Sequence, residues 1–193
     1  MLVEKITKKL MAVSRFIKNR QEEYRKLYGK VELKVMQITK DTFGGEVYKS
    51  TSHEDKVDHV DFWWISPKKG KIGVDVKGIR KNDDGELDDT IFWIEYRNNP
   101  GLPGWIYGKE EYIAIERFTE IVYIKRDVLR KYAEEKLPDV EPVTRRPKEF
   151  FVPYTRTYWG HRDLTMKVPM SDIIQLASEK GEDGTSNGFF AVF

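Results

Sequence analysis

The stretch that decides the fold is residues 60–77, which reads Val60-Asp61-Phe62-Trp63-Trp64-Ile65-Ser66-Pro67-Lys68-Lys69-Gly70-Lys71-Ile72-Gly73-Val74-Asp75-Val76-Lys77. Aromatic and β-branched residues favour strands, and Pro67 to Gly70 has the composition of a turn between two apolar runs. The sequence therefore predicts a β-hairpin whose first strand lies within Val57 to Ile65. Such a hairpin brings Asp61 beside Asp75.

Strand geometry indicates which side chains of this hairpin share a face. Because side chains alternate along a strand, Asp75 and Lys77 point to one side and Val76 points to the other, into a core. Converging carboxylates repel each other unless a cation neutralises them, and Mg²⁺ or Mn²⁺ takes oxygen ligands. The backbone carbonyl of Val76 is a further candidate ligand. Lys77 can orient the nucleophilic water or neutralise charge on a phosphate.

The order of these motifs, Asp61 and then Asp75-Val76-Lys77, resembles the PD-(D/E)XK nuclease superfamily. In that superfamily the two acidic residues bind a metal ion and the lysine assists the attacking water. The resemblance therefore implies these roles for Asp61, Asp75 and Lys77. One departure is that Val60, and not proline, precedes Asp61.

Further segments resemble nuclease-like proteins encoded by bacteriophages, over a region from about Gly45 to Arg130. The segments are Ser50-Thr51-Ser52, Asp58-His59-Val60-Asp61, Gly73-Val74-Asp75-Val76-Lys77-Gly78, Phe92-Trp93-Ile94-Glu95-Tyr96-Arg97-Asn98 and Pro103-Gly104-Trp105-Ile106-Tyr107-Gly108. The resemblance implies an α/β fold with a restriction-endonuclease-like core, in which helices flank a central mixed β-sheet. It also implies a metal-dependent endonuclease.

The alternative for Asp75 and Lys77 is that they are solvated charges that interact weakly. Apolar stretches around both motifs favour a central sheet instead, where unpaired charged groups are costly. We therefore expect these charges to have a functional role.

Composition limits the function classes. The chain has 193 residues, of which 39% are hydrophobic, and this predicts one domain. We divide it into an N-terminal helical part (1–45), a catalytic α/β core (46–137) and a C-terminal extension (138–193). The absence of cysteine excludes disulfides, thiolate metal sites and a cysteine nucleophile.

Hydropathy and charge suggest where the protein acts and on what. No apolar stretch reaches transmembrane length, and the N-terminal pattern is that of a charged amphipathic helix, not a signal peptide. We expect a cytoplasmic protein, in the host cytoplasm if a phage encodes it, without a membrane partner. The net charge is only +2, but residues 1–40 and 145–167 are basic and can contact the phosphates of nucleic acid, DNA in particular. The alternative is that the same charges only solvate helix faces. For the quaternary structure, a homodimer is an open alternative.

Periodicity predicts the remaining elements. Helices are expected over residues 4–28, ending at Gly29, and over Leu33–Thr42, Asp127–Lys136 and Asp172–Lys180, with Ser171 as the N-cap of the last and a mobile stretch after it. Further strands are expected over Glu46–Ser50, Thr90–Tyr96, Tyr112–Arg117 and Ile121–Lys125.

Three more residues are candidates for the acidic site. Glu95 lies in an otherwise apolar strand and can be a third acidic ligand, or a structural carboxylate paired with Arg97 or Lys109. His59 lies two positions before Asp61 and can be a ligand or a hydrogen-bonded structural residue. Glu46 is an additional acidic candidate.

Nucleic-acid contacts are expected from aromatic and basic residues. Trp105 follows a loop rich in proline and glycine and can stack on a base, or can pack under the next strand. Arg145, Arg146 and Arg156 lie among aromatic residues and can bind phosphates. The alternative is that this segment packs as a C-terminal layer on the core.

The sequence thus predicts a metal-dependent nuclease that acts on DNA with water as the nucleophile. One alternative is a catalytically inactive protein of nuclease fold that binds nucleic acid or a host protein. Another is a modification-dependent restriction factor or an anti-defence factor with the same chemistry and a different target.

Overall fold

The computed structural model describes residues 29–82, 84–98, 101–158 and 161–193. The helices are α1 (29–43), α2 (Arg126–Lys136) and α3 (Met170–Ser178), with a π-helical turn at Glu54–Asp58 and a 3₁₀ turn at Trp105–Tyr107. The strands are β1 (Glu46–Lys49), β2 (Phe62–Ser66), β3 (Gly70–Lys77), β4 (Arg80–Lys81), β5 (Leu87–Asp88), β6 (Ile91–Arg97), β7 (Tyr112–Glu116), β8 (Glu120–Lys125), β9 (Pro153–Tyr158), β10 (His161–Pro169) and β11 (Gly188–Val192).

The protein is α/β, and its centre is a mixed six-stranded sheet with the order β1-β2-β3-β7-β8-β11. The hairpin predicted from residues 60–77 is present as β2 and β3, and β3 runs parallel to β7. A parallel pair needs a long crossover, which is usually helical. Here β4, β5, β6 and the 3₁₀ turn form the crossover.

Each face of the central sheet covers a separate apolar core. On one face, residues of β2 and β3 such as Phe62 and Val74 pack with Val35 of α1. On the other face, β7 and β8 pack against α2, α3 and a second sheet of order β6-β10-β9. The predicted strand over Thr90–Tyr96 therefore exists as β6, but it belongs to this second sheet.

Several predicted boundaries were wrong for local reasons. Val57 and Asp58 lie in the π-helical turn, where Thr51 and Glu54 exchange reciprocal backbone-to-side-chain hydrogen bonds. Gly29 does not end a helix, because it is the first described residue of α1 and the helix continues to residue 43. The predicted helix over 4–28 falls outside the described residues. Ser171 lies inside α3, whose N-cap is Pro169.

The C-terminal segment is part of the packed fold. It supplies β9 and β10 of the second sheet, helix α3, and strand β11, which pairs with β8 at the edge of the central sheet. No strand was predicted after α3. Within the described residues, no helix is long and apolar enough to cross a membrane.

Candidate functional site

The hairpin brings Asp61 and Asp75 together, as the sequence predicts. Asp61 immediately precedes β2, and its backbone N–H donates to the Val74 carbonyl over 2.9 Å. Its Oδ2 accepts a hydrogen bond of 2.6 Å from the backbone N–H of Val76. The N–H and C=O of a strand residue point to the same edge, so the Val76 carbonyl also points toward Asp61. The backbone of β3 thus holds the Asp61 carboxylate beside Asp75.

Lys77 completes an ion pair with Asp75. Its Nζ lies 2.5 Å from Asp75 Oδ2, and it also lies 4.7 Å from the ring centroid of Trp105. Asp75 is only 3% exposed. Since β3 pairs Asp75 with Ile113 and Lys77 with Ile115, both charged side chains share the sheet face of these apolar residues. The ion pair therefore lies at the margin of the larger core.

Glu110 is a third acid at this site, and the sequence analysis missed it. Its side chain is 1% exposed and is close enough to Asp75 and Lys77 to interact electrostatically with both. Among the residues that the structure describes, neither carboxylate oxygen of Glu110 finds a hydrogen-bond partner in another residue. A buried acid in this state is costly, which marks it as a functional candidate.

The loop before β7 holds Glu110 in place. The backbone N–H of Lys109 donates to the Asp58 carbonyl over 2.9 Å, and Lys109 Nζ lies 2.8 Å from Asp58 Oδ1. Arg126 Nε donates to the Glu110 carbonyl over 3.0 Å. A Cβ added at Gly108 would lie 2.1 Å from Glu110 Oε2 and 2.9 Å from His59 Cβ, so only glycine fits there.

Burial and mutual repulsion raise the pKa of each acid in this cluster. Burial, and then repulsion from Asp75, raises the pKa of Asp61 to about 8 and that of Glu110 to about 9. Burial also raises the pKa of Asp75, although Lys77 opposes this change. Burial acts to lower the pKa of Lys77, but Asp75 and Asp61 outweigh it and raise that pKa. At neutral pH, Asp61 and Glu110 therefore hold protons and Lys77 stays charged.

His59 lies beside this cluster. It is half-buried and has a φ of 57°, which is uncommon for a residue other than glycine. Burial, and then repulsion from Lys77, lowers its pKa. The structure thus places a neutral imidazole near Asp61 and Lys77. A ligand role for His59 stays a prediction.

Glu32 of α1 is a second acid that the sequence analysis missed. It forms an ion pair with Lys49 at 2.7 Å. Burial, and then repulsion from nearby acids such as Asp61, raises the pKa of Glu32. No sequence pattern placed α1 beside the hairpin. The signal that could have identified Glu110 is its position two residues after Gly108 and two residues before the apolar strand β7.

The structure does not bring Glu95 or Glu46 into the cluster. Glu95 lies in β6 of the second sheet, on the face opposite the buried Phe92, Ile94 and Tyr96. Glu46 is exposed at the start of β1, opposite Ile65. Asp75 and Lys77 lie in a different sheet from Glu95, so Glu110 is the better candidate for the third acid.

The residues predicted to bind nucleic acid have different environments. Trp105 is 5% exposed and packs at a steep angle against Phe92, which agrees with the packing alternative and leaves no face free for a base. Arg146 donates to the Lys81 carbonyl over 3.1 Å and lies 5.2 Å from the Trp93 ring centroid. Arg145 is exposed. Arg156 lies in β9, where its backbone pairs with that of Asp163.

The donor set suits a hard cation only after a local rearrangement. As the side chains stand, no three acidic or histidine residues in the described ranges converge closely enough to hold a metal ion. The uncompensated oxygens of Glu110 and the carboxylates of Asp61 and Asp75 are the oxygen ligands that Mg²⁺ and Mn²⁺ prefer. Binding therefore requires loss of protons and a shift of Lys77 or Glu110.

Comparisons of the chain with protein-family models, with curated proteins and with solved structures found no match.

Proposed function

We propose that this protein is a metal-dependent nuclease that hydrolyses phosphodiester bonds in DNA, an endonuclease of the PD-(D/E)XK type with a restriction-endonuclease-like core. The observation that carries the proposal is the cluster of Asp61, Asp75 and Glu110 around Lys77. Asp75 and Glu110 are almost fully buried, and no residue in the described part of the chain neutralises Glu110 by hydrogen bonding. Acids placed in this way are expected at a cation site.

The proposed ligands of Mg²⁺ or Mn²⁺ are Asp61 and Asp75, with Glu110 and the Val76 carbonyl as additional candidates. Such an ion supplies Lewis-acid polarisation of the phosphate and a lowered pKa for water. The protein contributes positioning, because the backbone N–H of Val76 holds Asp61 and the crowded loop at Gly108 keeps Glu110 close to the other two acids.

Lys77 acts as a fixed cation in this proposal. Its pKa is raised by Asp75 and Asp61, so the ammonium keeps its proton and is a poor general base. It can donate hydrogen bonds to the attacking water and to the phosphate oxygens as negative charge develops on them. Its contact with the Trp105 ring limits its motion.

A second candidate function is nucleic-acid or protein binding without catalysis. The observation that favours it is the ion pair between Lys77 and Asp75, which neutralises Asp75 without a metal. In that case the cluster would contribute only to folding. Its replacement would change the free energy of unfolding, and neither wild type nor the variants would hydrolyse nucleic acid.

The test is incubation of purified protein with supercoiled plasmid, linear duplex, single-stranded DNA and RNA in Mg²⁺, Mn²⁺ or EDTA. Asp75→Asn and Lys77→Ala are compared with wild type, and the exposed Asp139→Asn is the matched control. The proposal predicts metal-dependent cleavage that falls at least about 100-fold in both site variants and is unchanged in the control. Absence of cleavage of every substrate by wild type, or equal cleavage by the site variants, would overturn it.

A further inference from the structure

On the sheet face that carries Asp61 and Asp75, paired residues of β1, β2 and β3 form rows across the strands, and these rows are progressively farther from the acidic cluster. Tyr48 of β1 pairs with Trp63 of β2, which pairs with Gly73 of β3, and directly opposite residues share a face. We call Tyr48 and Trp63 the aromatic row. Asp61 and Asp75 lie two positions beyond Trp63 and Gly73, at a spacing of about 6.7 Å.

The aromatic row is accessible on this face. Tyr48 is 43% exposed, and Trp63 is half-buried. The next row, away from the acids, contains the exposed Lys71 opposite Ile65. On the other face of the same strands, Phe62 and Trp64 are buried in the core. Exposed aromatic rings beside a catalytic centre are candidates for substrate contact.

The ring of Trp63 is held in one orientation. Its Nε1 donates to Glu54 Oε1 over 3.0 Å, and its Cζ3 lies 3.2 Å from the position that a Cβ at residue 73 would occupy. The ring therefore extends over the backbone at Gly73. On this ring lies the ammonium of Lys71, with Nζ 3.7 Å from the ring centroid. Lys71 is exposed, so this cation–π contact can be exchanged for another partner at low cost.

These features fit a nucleotide whose base is unpaired. A fixed indole and an exposed phenol provide stacking surfaces, and the Lys71 ammonium can move from the ring to a phosphate. Bases within a duplex are already stacked on one another and cannot take this position. The short distance along β2 from Trp63 to Asp61 places such a nucleotide next to the acidic cluster.

We infer that the aromatic row and Lys71 bind unpaired nucleotides, so that the protein acts on single-stranded nucleic acid or on single-stranded segments that flank a duplex. The inference rests on the proposed function for the place of cleavage. Binding itself needs no catalysis and can be measured separately.

The test is fluorescence anisotropy in EDTA, with a labelled single-stranded oligonucleotide and the duplex of the same sequence. Tyr48→Ala and Lys71→Ala are the site variants, because both side chains are exposed and their removal spares the core. Phe118→Ala and Lys131→Ala are the matched controls, since these side chains are 54% and 71% exposed and belong to other parts of the fold.

We expect wild type to bind the single strand more tightly than the duplex. Tyr48→Ala should weaken single-strand binding about 5- to 100-fold. Lys71→Ala should reduce the slope of log affinity against log salt concentration by about one, because about one counterion fewer is released on binding. The controls should bind like wild type.

Two results would overturn the inference: equal affinity of site variants and wild type, or stronger binding of the duplex. If the site variants lose binding but wild type cleaves no substrate, the binding surface stands and the nuclease proposal fails. If wild type cleaves with metal and the site variants bind normally, the nuclease proposal stands and this surface is rejected.

Discussion

Lys77 and Asp75 form an ion pair of 2.5 Å between two side chains on the same face of β3. Asp75 is buried, Lys77 is half-buried, and the Trp105 ring lies beside the ammonium. Removing one partner of such a pair leaves a charge that water solvates poorly. The pair therefore links the proposed chemistry to the stability of the central sheet.

The first prediction concerns the coupling between these two residues. A double-mutant cycle with Asp75→Asn and Lys77→Met should give a coupling free energy of about 1–3 kcal/mol, because each single variant leaves the other group unpaired. The measurement is urea unfolding at pH 7 in EDTA. The exposed pair Lys131 and Glu182, 3.8 Å apart, should show no measurable coupling. Additive effects at Asp75 and Lys77 would contradict the prediction.

The second prediction concerns pH. The folded-state pKa of Glu110 is about 9 and that of Asp61 about 8, both above the usual values for these acids. Between about pH 4 and those values the folded protein holds protons that the unfolded chain releases. The free energy of unfolding in EDTA should therefore fall as pH rises from 5 to 9.

The matched variants for this pH prediction are Glu110→Gln and Glu182→Gln. Glu110→Gln should show a smaller decrease of Tm with rising pH than wild type, because glutamine does not titrate. Glu182→Gln should leave the decrease of Tm with rising pH unchanged, because Glu182 is fully exposed. A wild-type Tm that is constant from pH 5 to 9 would show that these acids ionise normally in the folded protein.

The third prediction concerns Gly108. Gly108→Ala should lower both Tm and cleavage, because the new methyl group would collide with the Glu110 carboxylate and with His59. The destabilisation should be about 1–3 kcal/mol, as for other overpacked sites. Gly29→Ala is the control, since nothing lies within 4 Å of its added Cβ, and it should be neutral or slightly stabilising. If Gly108→Ala cleaves DNA at the wild-type rate, this loop does not contribute to the site.

The fourth prediction distinguishes two neighbouring arginines. Arg145→Ala should weaken DNA binding and its salt dependence without lowering Tm, because this side chain is exposed. Arg146 is also exposed, but it donates to the Lys81 carbonyl and lies over the Trp93 ring, so Arg146→Ala should lower Tm as well. Unchanged DNA binding in both variants would reject this segment as a phosphate contact.

The hairpin was predictable because its determinants are local. Turn residues at Pro67 to Gly70 lie between apolar runs, and the two-residue alternation fixes the face that Asp75 and Lys77 share. The partner of β6 was not predictable, because Ile91–Tyr96 is apolar on both faces apart from Glu95, and its pattern does not identify the neighbouring strand.

Glu110 escaped the sequence analysis because its burial is a tertiary effect. The chain around it looks like an ordinary charged loop, and only the approach of β3 and of the π-helical turn removes the carboxylate from water. The same holds for Glu32, which reaches Lys49 through the packing of α1. Strand β11 was missed because the polar loop before it, which contains Gly181 and Gly184, has the composition of a mobile segment, and only pairing with β8 orders the residues that follow.

The central claim is that a divalent cation neutralises Asp61, Asp75 and Glu110, and calorimetric titration with Mn²⁺ at pH 7 tests it most directly. Repeating the titration in buffers of different ionisation enthalpy counts the protons released. Because Asp61 and Glu110 hold protons at this pH, Mn²⁺ binding to wild type should release about two protons. Binding to Glu110→Gln should release about one proton, and Asp75→Asn should not bind Mn²⁺. Absence of Mn²⁺ binding to wild type, or binding that Asp75→Asn leaves unchanged, would contradict the claim.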